Sequence, residues 1–303
     1  VSILVVGSVA LDSVQTPFGE VEDAVGGAAV YFSAAASLYE RVNLVGVVGE
    51  DFRVQNLDFL RDRNVDLSGL QVLPGKTFRW KGRYDYNLNT RDTLDTQLNV
   101  FADFHPRIPP DFQDSDYVFL ANIHPQLQLE VLHQMRAPRL TAMDTMNYWI
   151  ESEREDLTRV ISEVDIIIIN EEEARQLANT YNLVRAAGAI LDLGPRATVV
   201  KRGEYGATLF YRGDQPVDFF FAPAYPLEEL KDPTGAGDTF AGGFMGYLAK
   251  EDDTGDAAIR RAMVHGSVIA SYAVEDFSLG RLRDLTLEDI EARYQTFRRC
   301  TLF

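Results

Sequence analysis

The sequence predicts an α/β protein: a three-layer α/β/α, doubly wound unit with a mostly parallel sheet and a small β-sheet lid. Two observations predict the main body. Residues 3–7, 42–48, 117–121, 140–143, 165–169 and 198–201 are short apolar, β-branched runs, the pattern of strands buried on both faces of a parallel sheet. Helical stretches separate them, at 28–38, 54–63, 126–135, 157–163 and 183–191, followed by a run from 236 to 273 long enough for at least two helices. Thr286 opens a last helix, with Asp289 three positions on in a near capping box. No internal repeat interrupts this order, so residues 1–303 read as one domain.

The third observation is a break in that rhythm. Between 75 and 104 there is no helical period; Phe78, Trp80, Gly82, Tyr84 and Tyr86 alternate with Arg79, Lys81, Arg83 and Asp85. That is strand alternation with one aromatic and one charged face. Asn87 to Asn89 then reads as a turn into a second strand over 93–101, and residues 14–25, with Pro17 and Gly19, as a further hairpin. A small β-sheet standing off the main sheet is therefore placed at 14–25 and 75–104. Its aromatic face needs cover, from a ligand, from the main domain, from its own packing or from a second subunit, so a homodimer through the lid is one expectation.

Composition limits the function. Lys and Arg total 29 against 46 Asp and Glu, a net charge of -17, which argues against a nucleic-acid partner. No apolar run approaches the roughly 20 residues that span a bilayer, and residues 1–7 do not read as a secretory leader, so a cytoplasmic protein without membrane contact is expected. The single cysteine, Cys300, excludes an intrachain disulfide and a Cys-rich metal cluster. Twenty-four Arg against 5 Lys, with 27 Asp against 19 Glu, fits either a halophilic surface or GC-rich codon usage.

In open parallel sheets ligands bind beyond the carboxyl ends of the strands. Asp12, Asn122 with His124, Asp144, Asn170 and Lys201-Arg202-Gly203 each follow an apolar run, which puts polar groups along one edge. Singly each could be a turn or cap residue; together they outline a crevice. The strongest local signal is Lys231-Asp-Pro-Thr-Gly-Ala-Gly-Asp-Thr-Phe240. Gly235, Ala236 and Gly237 sit where a helix begins, so their N–H groups and the helix dipole can hold an anion. Asp238 lies in the first turn beside them. A carboxylate next to a phosphate-stabilising nest is what phosphoryl transfer to an alcohol requires. Neither a P-loop nor a dinucleotide glycine fingerprint is present.

On these residues the sequence resembles the ribokinase-like (PfkB-type) carbohydrate kinases. The resemblance rests on Gly26-Gly27 before a small-residue helix, on Val45-Gly-Val-Val-Gly-Glu-Asp51, and on Asp232-Pro-Thr-Gly-Ala-Gly-Asp-Thr-Phe240, and it covers essentially the whole chain. It implies an ATP-dependent kinase with Asp238 as base and Gly235, Ala236 and Gly237 as anion hole. It also implies that Asn170 and Glu173 handle Mg2+ and phosphate through water, that Lys201, Gly203 and Gly206 lie over the ATP phosphates and ribose, and that His265 lines the adenine pocket. Asp12, Gly26, Gly27, Asn122 and Asp144 would contact the acceptor, and Asp232 with the 273–280 loop resembles a monovalent-cation site for K+. Three features depart from the family pattern. Ala28 and Tyr31 stand where Lys or Asn is common, Trp149 where Arg is expected, and Lys201 where a small hydroxyl residue is common.

The leading expectation is transfer to a primary hydroxyl of a small sugar or sugar-like acceptor. A nucleoside, adenosine-like, is the alternative, because Phe78, Trp80, Tyr84 and Tyr86 could stack a base. A phosphosugar ranks third: Arg79, Lys81, Arg83 and Arg91 could bind its phosphate, but alternation puts them opposite the aromatics. A non-catalytic sensing or interaction module and a dinucleotide oxidoreductase are the alternatives of other classes.

Overall fold

The computed structural model describes residues 1–213, 215 and 217–301. Its main sheet has nine strands in the order β13-β12-β11-β10-β9-β8-β1-β4-β5. These are β1 (Ser2–Val6), β4 (Arg41–Gly49), β5 (Val65–Leu73), β8 (Tyr117–Leu120), β9 (Leu140–Met143), β10 (Ile166–Asn170), β11 (Ala197–Lys201), β12 (Ala207–Tyr211) and β13 (Asp218–Ala222). The strands from β5 to β11 run parallel, and β12 and β13 are antiparallel at one edge. β5 and β12, whose apolar residues are interrupted by polar ones, escape a search for continuous runs, and the four-residue run of β13 is short enough to be passed over.

Two apolar layers follow from the alternation of side chains along each strand. One face, with Ile3, Val5 and Phe119, packs under the helices Ala28–Ala36, Ala236–Glu251, Asp256–Ala273 and Leu287–Thr301. The opposite face, with Leu4, Val6 and Leu120, packs under Arg154–Glu163, Glu171–Leu177 and Leu183–Leu191. The doubly wound class is as expected. The helix expected over 54–63 is instead a 3-10 turn, Val54–Leu57, running into one short helical segment, Asp58–Arg61. At the last helix Asp289 Oδ2 accepts from Thr286 N and Oγ1 at 3.1 and 2.8 Å, closing the capping arrangement. Among the described residues no helix is long and apolar enough to cross a membrane.

The lid is a second sheet in the order β3-β2-β6-β7, formed by β2 (Ala10–Thr16), β3 (Gly19–Gly26), β6 (Phe78–Tyr84) and β7 (Arg91–Gln97). β2 pairs antiparallel with β3 and parallel with β6, and β6 antiparallel with β7. It begins at Ala10, four residues before the expected boundary. Past Gln97 the chain leaves the lid as a 3-10 turn, Asn99–Asp103, rather than continuing a strand to 101.

Cover for the aromatic face comes from the protein itself. Phe78 stacks on Phe101 with ring centroids 5.2 Å apart, and Phe101 on Phe104 at 5.8 Å. Tyr84 is buried, and Thr234 Oγ1 donates to its hydroxyl at 3.4 Å. A second subunit is not needed to cover those rings. Tyr86, expected among them, lies beyond the strand and is 85% exposed.

The 45–51 motif roots the lid. A Cβ at Gly49 would lie 2.3 Å from Gly75 O and 2.6 Å from Thr77 N, so only glycine lets the returning chain pass. Asp51 Oδ1 accepts from Thr77 N and Oγ1 at 2.7 and 2.6 Å, and Oδ2 from Arg79 Nη2 at 3.1 Å. Burial works against the Asp51 charge, but these donors hold its carboxyl below the ordinary value. Asp51→Ala leaves the fully buried Thr77 without its acceptor and should cost about 1–3 kcal/mol in denaturant unfolding at pH 7. Because the folded pKa is the lower one, that difference should be present above pH ~4 and disappear as the pH falls through the folded pKa.

Candidate active site

The site is assembled where β1, β9, β10 and β11 end and where β2 and the Ala236–Glu251 helix begin. That helix starts on Gly235 with φ 75°, a left-handed conformation, and no side chain caps its first turn. A Cβ on Gly235 would fall 2.4 Å from Cγ of Tyr31, so the turn rests directly on that ring. Tyr31 thus occupies the place of an expected Asn as the floor of the nest. Ala236 N donates to Pro233 O at 3.2 Å to close the turn, leaving the N–H groups of Gly235 and Gly237 as the better donors to a ligand.

Lys201, at the end of β11, reaches the nest from the other side: a Cβ on Gly237 would lie 2.9 Å from its Nζ. The ammonium donates to Asp144 Oδ2 at 3.3 Å. Asp144 is held by its strand end, because the buried Gln128 Nε2 donates to the carbonyls of Leu120, Ala121 and Asp144 at 3.2, 3.0 and 3.0 Å. Asn170 and Glu173 form a full capping box: Glu173 N donates to Asn170 Oδ1 and Asn170 N to Glu173 Oε2, each at 2.8 Å. Glu173 is therefore fixed with its carboxylate beside Asp144 and Lys201.

Burial and like charge set the protonation of this cluster. Burial, then the neighbouring Asp144, push the Asp238 and Glu173 carboxyls up. Burial alone would lower the Lys201 ammonium, but Asp144, Glu173 and Asp238 outweigh it and hold it above its ordinary value. Perturbed acids around one buried cation in a crevice mark a functional site.

Asp12 faces the nest from the lid. It lies in β2 opposite Trp80, and burial raises its carboxyl to about 7, with Asp232 and Asp238 adding to the effect. Its carboxylate takes the backbone N–H of Gly27 and lies so close over Gly26 that a Cβ there would be 2.0 Å from Oδ2. The glycine pair thus makes room for Asp12. Asp232 commits both oxygens to N–H groups, of Thr234 at 2.9 Å and Ser278 at 3.4 Å, tying the nest to the 273–280 loop. Gly203 and Gly206 flank the 3-10 turn after β11, where Asn89 of the lid donates to Glu204 Oε1 at 3.2 Å.

The structure thus brings Asp12, Gly26, Gly27, Asp144, Asn170, Glu173, Lys201, Asp232 and Gly235 to Asp238 around one crevice. Two expected residues are engaged elsewhere. Asn122 Oδ1 accepts from Trp149 Nε1 at 2.9 Å and its amide meets Met146 Sδ at 3.2 Å, so it positions Trp149. His265 is enclosed: its ring stacks between Tyr247 at 3.9 Å and Tyr294 at 4.7 Å, and Nδ1 bonds Tyr39 Oη at 2.8 Å. Both ring faces are taken, which corrects its assignment to an adenine pocket; burial lowers its pKa to about 4. Alternation also misplaced Arg91. It pairs with Tyr84, on the aromatic face, and its charge lowers the carboxyls of Asp12, Asp238 and Glu173.

Residues 2–280 match the sequence profile described as pfkB family carbohydrate kinase. A cytidine kinase of Thermococcus kodakarensis is 34% identical over 251 residues, covering 81% of this chain and 88% of that protein. An inositol 3-kinase of Arabidopsis thaliana is 23% identical, covering 97% and 79%. The solved structure of the Burkholderia thailandensis nucleoside kinase in complex with inosine superposes with a TM-score of 0.79 at 21% identity, covering 97% of this chain and 98% of that one. Motifs, site and fold agree: the chain belongs to the pfkB family of carbohydrate kinases and is a phosphotransferase of the sugar and nucleoside kinase group.

Proposed function

We propose that the protein transfers the γ-phosphoryl group of ATP to the primary hydroxyl of a nucleoside. The observation that carries the acceptor class is Trp80. Its indole lies across Gly82 on the inner face of the lid, one strand from Asp12: a Cβ on Gly82 would fall 2.0 Å from the ring. An aromatic plane beside the sugar-binding carboxylate is a stacking surface for a base. The similarity to a cytidine kinase over most of both chains supports the same class and puts the nucleoside ahead of the free sugar that the motifs favoured.

In this reading Asp12 holds ribose hydroxyls and Asp238 removes the proton of the attacking hydroxyl. The hydroxyl oxygen forms the new P–O bond as the bond to the ADP oxygen breaks, and the proton stays on Asp238. The nest at Gly235 to Gly237 and the Lys201 ammonium hold the charge of the transferred group. Gly203 and Gly206 let the backbone lie over the ATP phosphates and ribose. Among the described residues no three His, Cys, Asp or Glu converge as a self-sufficient metal site. Mg2+ would arrive on the nucleotide, with Asn170 and Glu173 holding it through water. When bound it would neutralise phosphate charge. The lid closes on both sides of the site, through Tyr84 with Thr234 and Asn89 with Glu204, and excludes water from the transfer.

The test is ADP release from Mg-ATP, at low and molar KCl, against nucleosides, free sugars, inositol and phosphosugars. A nucleoside-dependent signal is expected. Asp238→Asn should lower turnover by about two to four decades while ATP affinity stays within a few-fold. Unchanged turnover would remove Asp238 from the mechanism.

A base whose pKa in the free enzyme is raised to about 7 should make kcat/KM climb with pH up to that value and level off above it. The same shift acts against folding. Between the ordinary 3.8 and about 7 the folded chain keeps a proton that the unfolded chain has lost, so stability falls as the pH rises across that window. Asp238→Asn should therefore raise the melting temperature of the nucleotide-free protein at pH 8, and an equal or lower melting temperature would contradict the buried-charge account.

A further inference from the structure

One cation on the acceptor side of the lid has no part in the transfer described above. Arg79 pairs with Asp23 and Asp51, and Arg83 with Asp92, on the outer face. Arg91 forms no ion pair with a carboxylate among the described residues. It stands opposite Tyr84, its guanidinium 5.6 Å from the centroid of the Trp80 ring. Trp80 is itself fixed, with Nε1 donating to Thr93 Oγ1 at 3.3 Å and the indole laid over Gly82. The result is an aromatic plane with a planar fork of N–H donors beside it, hydrogen-bonded on one side to the Tyr84 hydroxyl, both on the face that carries Asp12.

We propose that Trp80 and Arg91 read the base of the acceptor nucleoside, and that the base is cytosine. This inference rests on the nucleoside reading above. The indole supplies the stacking surface and Arg91 the edge recognition. A guanidinium only donates, and its paired N–H groups match two adjacent acceptors. Neutral cytosine presents such a pair in O2 and N3. Uracil puts an N–H between its two carbonyls, and hypoxanthine puts one beside its carbonyl, so each turns a donor toward the fork. Adenine offers an acceptor next to an amino donor. A wrong edge leaves an arginine donor facing a donor, which is costly once the lid has closed over the site. Guanine and hypoxanthine both carry an acceptor pair, N7 and O6, but on the imidazole side of a purine, and so guanosine and inosine serve as the controls for shape.

The experiment measures kcat/KM of the full chain for cytidine, uridine, inosine, adenosine and guanosine, for wild type, Arg91→Met and Arg91→Lys. Arg91 lies on an exposed edge strand, so neither substitution threatens folding. Wild type should prefer cytidine. Arg91→Met should lower kcat/KM for cytidine by about 10- to 100-fold, collapse the cytidine-to-uridine ratio toward one, and leave the KM for ATP within about twofold. Arg91→Lys should keep the charge without restoring the ratio, because a point charge cannot present the paired donors. A ratio unchanged in Arg91→Met, or a wild-type preference for uridine or a purine nucleoside, overturns the inference and leaves the nucleoside kinase standing. If sugars or inositol are phosphorylated and no nucleoside is, the nucleoside reading falls and the inference with it.

Discussion

Everything at the crevice depends on one lysine surrounded by acids. Lys201 Nζ sits between Asp144, Glu173, Asp238 and the helix start at Gly237, at the point where three parallel strands end together. Three carboxylates and one ammonium cannot all be charged in a dry pocket without cost. The cluster answers by keeping protons on acids that would be ionised in water. A chain arranged only for stability would not bury such a group; the arrangement concentrates strain where phosphoryl chemistry needs a base near neutrality and fixed positive charge. The sheet makes it possible, because parallel strands deliver their last residues to one edge.

The lid works through a different principle, the division of its faces. Outward, Arg79, Arg83 and their acidic partners form exposed ion pairs that add little stability. Inward, Asp12, Trp80, Tyr84 and Arg91 share the face toward the crevice. Roots at Asp51 and ties at Thr234, Ser278 and Glu204 join this small sheet to both the nest and the nucleotide-side turn.

Tyr31 shows how a departure from the family pattern is absorbed. A polar side chain there would contact substrate; the tyrosine ring instead supports Gly235 from below and is itself fully buried. That face of the crevice loses one polar side chain, and the polar groups nearest to it are those of the lid, Asp12 and Arg91.

Much of this was legible in the residue order. The parallel strands, the helix start with its small residues, the carboxylate beside it and the lid's alternation are all local, because apolar runs, glycine at a helix N-terminus and period-two patterning act over a few residues. What needed the tertiary structure were the features set by partners distant in sequence. His265 could not be placed without the three tyrosines that enclose it, nor could the hydrogen bond between Trp149 and Asn122 be read from residues 27 positions apart. Arg91 is the sharpest case. The pairing of β6 with β7 slips by one residue at Leu94, where Lys81 meets Asp95 and Gly82 meets Thr93. A one-residue bulge reverses the faces of the side chains on its two sides relative to the partner strand, so Arg91 to Thr93, which precede it, are turned over with respect to Asp95 to Gln97. Motif and residue pattern determined that this chain moves a phosphoryl group; a single bulge, set by pairing across strands, decided which arginine shares the face of Asp12 and Trp80.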